Sequence, residues 1–154
     1  MIPFIQKVSG NSYAALHVPG SYYEENAYPF RGARDAGAIL TAGSDAPVET
    51  RDPRPFANIA VALSRRLPGR PALNAAQAIT IEDVLQAYTL NGARFLGRER
   101  ETGSLEAGKS ADFVMLDRDL LALAKAGQYE EIARTRVVGT WFRGRRVYRA
   151  PAAR

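Results

Sequence analysis

The sequence predicts an α/β chain whose last third turns to β structure. Three observations carry that prediction. A proline-led helical stretch ends at Gly37 and feeds directly into Ala38–Ala42, a short apolar run of the kind buried on both faces of a parallel sheet. Two more amphipathic helical patterns follow, so the Ala38–Ala42 unit reads as half of a βα repeat. Beyond Gly103 the pattern shifts to strands, with a hairpin turn at Arg143-Gly144.

In chain order, the residues up to Glu25 have weak periodicity. Ser12–Val18 suits a short strand, and the polar run from Gly20 to Asn26 suits a loop. Tyr28-Pro29-Phe30 opens a helix, with Pro29 at the first position, where a missing N–H costs nothing. Ala38–Ala42 is then a strand, followed by Gly43-Ser44-Asp45-Ala46-Pro47 and a polar loop through Pro53. Pro55 starts a helix from Phe56 to about Arg66, with Phe56, Ile59, Ala60 and Leu63 on one face. Leu67–Ala76, rich in proline and glycine, is a surface loop. Thr80 is an N-cap with Asp83 three residues on, a short capping box. Val84, Leu85 and Tyr88 continue that helix, and Thr89 starts another through Leu96 to Gly97. Asp112–Leu116 is a strand, Leu120–Ala133 is mostly helix or loop, and Thr135–Phe142 pairs with Arg145–Tyr148. Trp141 is expected in the core of this β unit.

Composition limits the function classes. The 154 residues contain no cysteine, which excludes disulfides, thiolate metal sites and cysteine nucleophiles. No apolar run approaches the length of a membrane span and no leader pattern is evident, so a cytoplasmic location is expected. The net charge is +5, which raises the question of nucleic acid. Most of the arginines are interleaved with carboxylates, and only Arg143, Arg145, Arg146 and Arg149 cluster. A solvated strand edge explains that cluster better than a duplex does.

Asp45 is the residue with most to say about chemistry. It follows the buried strand, and in βα folds the C-terminal strand ends form the active face. A carboxylate there can hold a divalent metal or accept a proton from water. By position alone, a turn or capping role is the simpler reading. Tyr22, Tyr23 and Tyr28 suit packing more than a pocket. Gly103–Ser110 formally fits the phosphate-loop spacing, but a polar stretch precedes it and a strand follows, where a P-loop needs a strand before and a helix after.

The segment Ala38-Ile39-Leu40-Thr41-Ala42-Gly43-Ser44-Asp45-Ala46-Pro47-Val48 resembles the last barrel strand of the amidohydrolase superfamily, of the amidohydrolase-3 type. Ala27–Arg31 with Asp35-Ala36-Gly37 resembles the helix before that strand, and Leu85–Ala93 the helices after the barrel. Glu101–Asp117 resembles the return into a small β-domain, and Thr135–Val138 with Gly144–Tyr148 the closing hairpin. The pieces stand in the family's order from Ala27 to Tyr148. The resemblance implies an incomplete (β/α)8 TIM-barrel portion over residues 1–100, then C-terminal strands of a small β-sandwich domain over 101–154.

It also implies metal-dependent hydrolysis of amide or other C–N bonds, with Asp45 as catalytic residue and metal ligand and zinc as the expected metal. The family's other ligands are mostly histidines, including a His-x-His pair that this sequence lacks. A hydrolytic zinc usually takes three protein ligands. With one histidine and no cysteine, the chain is expected to be inactive alone and to hold no metal by itself. His17 is the candidate for contact with a small-molecule substrate. The expected partner is a second copy or a chain supplying the N-terminal part, with no membrane and no nucleic acid. The alternative is a non-catalytic remnant of the fold that oligomerises or binds a small molecule.

Overall fold

The computed structural model describes residues 20–47, 51–67 and 69–151. Seven short α-helices surround a small core, and one three-stranded antiparallel sheet follows: α1 Tyr22–Asn26, α2 Phe30–Asp35, α3 Phe56–Ser64, α4 Ile81–Tyr88, α5 Leu90–Phe95, β1 Phe113–Leu116, α6 Leu120–Lys125, α7 Tyr129–Ala133, β2 Val137–Phe142 and β3 Arg145–Arg149. The predicted strand Ser12–Val18 lies outside the described residues.

Helix α1 stands where a loop is expected. Its start is a serine-glutamate box: Ser21 Oγ accepts from Glu24 N–H at 3.1 Å, and Glu24 Oε2 accepts from Gly20 N–H at 2.9 Å. Helix α2 begins as predicted, with Pro29 at the cap rather than inside. It ends in paired reverse bonds, Gly37 N–H to Arg34 O at 2.8 Å and Ala38 N–H to Ala33 O at 2.9 Å.

The predicted strand Ala38–Ala42 does not form a ladder. The segment is extended, with Ile39 63% exposed. Among the described residues no neighbouring strand shares its hydrogen bonds. It leans instead on the later helices: Ala42 N–H donates to Ala87 O at 3.1 Å, and Asn91 Nδ2 donates to Leu40 O at 3.0 Å. An apolar strand needs strands on its flanks to satisfy its backbone, and sequence pattern alone cannot supply them.

Helix α3 stops two residues early because Arg65 adopts a left-handed conformation, φ +58°. It is the centre of the core. Phe56, Ile59, Ala60 and Leu63 are buried as predicted, but Asn58, Val61 and Ala62 are buried too, so the covered face is wider than the predicted stripe and leaves Ala57 exposed. Phe30, Val84, Leu120 and Ile132 belong to the same cluster. One core therefore draws on residues from both 1–100 and 101–154.

The capping box of α4 is present: Asp83 N–H donates to Thr80 Oγ1 at 3.2 Å, and Thr80 N–H to Asp83 Oδ2 at 3.0 Å. Thr89 stands at the N-cap of α5 but makes no side-chain cap bond; its hydroxyl donates to Leu85 O at 2.7 Å. Leu120–Ala133 resolves into two helices. The first is capped by Asp119, whose Oδ1 accepts from Leu121 and Ala122 N–H at 3.0 Å each.

The sheet is a meander in the order β1-β2-β3, with Phe113 opposite Trp141 and Thr140 opposite Tyr148. Leu116 and Val137 pack against the helical core. Trp141 is half-buried rather than central. Its ring stacks on Phe113 with centroids 4.7 Å apart and lies across Gly139. Among the described residues neither a closed barrel nor a second sheet is formed.

Candidate functional site

The loop after the extended segment places Asp45 at the surface, with a left-handed φ of +53°. Aspartate tolerates this region better than most residues because its short side chain bonds locally. Ser44 Oγ accepts from Ala46 N–H at 3.3 Å and closes a tight turn around it, and the Ala46–Pro47 bond is cis. The Asp45 carboxylate is solvent-facing, and no ion pair holds it among the described residues.

The position of the loop depends on a chain of contacts. Asn91, buried at the first turn of α5, grips Leu40 O and accepts a bond from Arg94 Nη1 at 3.2 Å. Arg34 bonds Asp83, joining α2 to the capping box of α4. A small open cavity of about 190 Å³ lies between these elements, lined by Arg34, Ile39, Leu40, Asp83, Asn91 and Arg94. The part played by Asn91 is not readable from the sequence; an asparagine beside a glycine suggests a turn or cap, not a tether across fifty residues of chain.

Arg65 is also missed by sequence reading. It is 0% exposed. Its Nε donates to Leu73 O and its Nη2 to Ala27 O, each at 3.0 Å, and its guanidinium lies 5.2 Å from the centre of the Phe30 ring. Burial pulls it down to about 10, with nearby Tyr28 opposing. Arginine normally signals surface, so nothing in the pattern marks this one as the bolt holding Ala27 against α3.

His17 lies outside the described residues. Tyr28 tilts against Phe30 with centroids 6.2 Å apart, while Tyr22 is exposed. Asp52 is engaged by Arg54, whose side-chain and backbone N–H groups hold its carboxyl down at about 2. Among the described residues no three His, Asp or Glu side chains come together as a metal site. The described residues therefore do not by themselves fit a hydrolytic zinc, which usually needs three protein ligands.

The phosphate-loop look-alike has a different purpose. Lys109 Nζ donates to Ser104 Oγ at 2.7 Å and to Glu106 Oε1 at 3.0 Å, and strand β1, not a helix, follows. The ammonium is committed within its own turn.

With this geometry in hand, comparison with known proteins is decisive for the family. The model of the amidohydrolase family matches residues 9–148, and the chain belongs to that family. Over 113 residues it is 38% identical to the N-substituted formamide deformylase of Arthrobacter pascens, covering 73% of this chain and 20% of the relative. It is 35% identical over 106 residues to the imidazolonepropionase of Agrobacterium fabrum, covering 67% of this chain and 23% of the relative. In structure it resembles an amidohydrolase from Thermotoga maritima, with a TM-score of 0.55 and 24% identity over 79% of this chain and 26% of that one. The chain thus spans about a fifth to a quarter of the length of these relatives.

Proposed function

We propose that the chain is the C-terminal portion of a metal-dependent hydrolase of amide or related C–N bonds, in which Asp45 takes the metal-ligand and catalytic position. The observation that supports this is the family match across residues 9–148, which contains the turn that presents Asp45 outward. A relative named as a deformylase of N-substituted formamides points to amide-like substrates. On this reading the chain is one part of an incomplete barrel with strands of a β-sandwich behind it. His17 would contact substrate. Zinc would be the metal of a completed site, and the missing ligands would come from outside the residues present here.

The test is metal content per chain by elemental analysis, with hydrolysis of an N-substituted formamide measured beside it, for wild type and Asp45→Ala. The chain alone is expected to hold no stoichiometric zinc and to turn over no substrate. Adding a polypeptide that carries the family's histidine strands should restore both for wild type and neither for Asp45→Ala. Restoration in Asp45→Ala to the wild-type level would remove Asp45 from the site.

A second reading has its own support. Ile39, Phe95 and Leu96 are 63%, 81% and 71% exposed, and large apolar side chains left in water favour association. A non-catalytic, self-associating remnant of the fold would bury these side chains.

A further inference from the structure

We infer that the outer edge of β3 is a docking site for an acidic, extended segment of another polypeptide, which adds to the sheet as a further strand. The inference is independent of the role of Asp45.

Strand β3 ends the sheet among the described residues. All five of its residues are exposed, Val147 among them. Ala150 N–H donates inward to Val138 O at 3.0 Å. Antiparallel strands alternate inward and outward backbone groups, so the N–H and C=O of Arg149 face the open side. An edge of this kind offers main-chain hydrogen bonds to an incoming strand.

The side chains decide which strand. Arg145, Arg146 and Arg149 lie on β3, and Arg143 stands in its turn. None joins an ion pair among the described residues. Asp112, near the turn, is already occupied, accepting from Arg143 N–H at 2.7 Å and from Ser110 Oγ at 2.9 Å. Carboxylates on an added strand would meet the guanidinium groups of Arg145, Arg146 and Arg149, which form no ion pair among the described residues. A second copy of β3 would set arginine against arginine, and like charges directly opposite oppose pairing.

Single-stranded nucleic acid is the other polyanion to weigh, and it needs free aromatic faces on which bases can stack. Here Trp141 is stacked on Phe113 and lies across Gly139, and Arg143 stands 5.2 Å over the Phe142 ring, which leaves Tyr148 as the one exposed aromatic of β3, short of the successive stacking faces that a single strand uses. What the edge leaves open is an alternation of backbone N–H and C=O, which a peptide strand matches on both groups and a phosphate backbone, acceptor only, does not.

The experiment is fluorescence anisotropy of a dye-labelled peptide alternating glutamate and valine, titrated with the full chain. Saturable binding is expected. N-methylation of alternate peptide amides, which leaves the protein untouched, should weaken it about tenfold or more, as should Arg145→Glu combined with Arg149→Glu. Circular dichroism checks that the double variant is folded. Equal binding of a single-stranded oligonucleotide, with indifference to N-methylation, would overturn the proposal in favour of a general polyanion surface. So would no binding at all, or a dimer in sedimentation that survives only while β3 is unmodified.

Discussion

Asp83 does two jobs with one carboxylate. It closes the cap of α4 through Thr80 and ties α2 to that helix through Arg34. Burial pushes its pKa up, but the Thr80 N–H, the Arg34 guanidinium and the Thr80 hydroxyl together hold it below the ordinary aspartate value. A carboxyl depressed in the native state leaves the unfolded chain with more protons between the two values, so stability rises with pH across that window. Asp83→Asn should therefore cost about 1 kcal/mol at neutral pH, the usual worth of a cap. The gap from wild type should close as pH falls below the ordinary carboxylate range. Urea unfolding at several pH values checks this, and a gap that is constant with pH would mean the charge plays no part. The cap itself was visible in the sequence because Thr80 and Asp83 have the right spacing. The Arg34 bond was not, because it joins residues 49 apart.

At the scale of elements, local signals were legible and long-range ones were not. Pro29, Pro55 and Thr80 mark helix starts through backbone chemistry that acts within a few residues. Strands β1 to β3 were found within a residue or two because alternation and the Arg143-Gly144 turn are also local. The strand at Ala38–Ala42 failed because its existence depends on neighbours outside the pattern. The loop from Gly103 to Ser110 lacks the context of a phosphate loop, and its first glycine is held by packing. Gly103 has φ +94°, and a Cβ there would meet Ala93 Cβ at 2.7 Å and Leu90 Cα at 3.1 Å, while Gly108 has φ +89° and open space around it. Gly103→Ala should destabilise by about 3 kcal/mol, from backbone strain and overlap together. Gly108→Ala should cost only about 1 kcal/mol, from backbone strain alone. Urea midpoints for the pair separate the two terms, and equal losses would show that the α5 contact is slack.

For the whole molecule, the sequence carried the family, since it rests on ordered short motifs. It did not carry the buried Arg65 or the exposed side chains, because burial is a property of the assembled chain. The exposed Phe95 and Leu96 bear on assembly. We expect concentration-dependent self-association in sedimentation, reduced by Phe95→Ser without loss of helical signal. An unchanged profile would take that surface out of any interface.

The Trp141–Phe113 stack has a practical consequence. Trp141 is the sole tryptophan in the sequence, and it sits in the sheet, away from the helical cluster around Ile59. Its emission is thus a private channel for the hairpin, while far-ultraviolet ellipticity is weighted towards the helices. Heating one sample and watching both signals asks whether sheet and helices melt together. Coincident curves are expected, because Leu116 and Val137 fasten the sheet to the core. An earlier change in emission would show the hairpin letting go first.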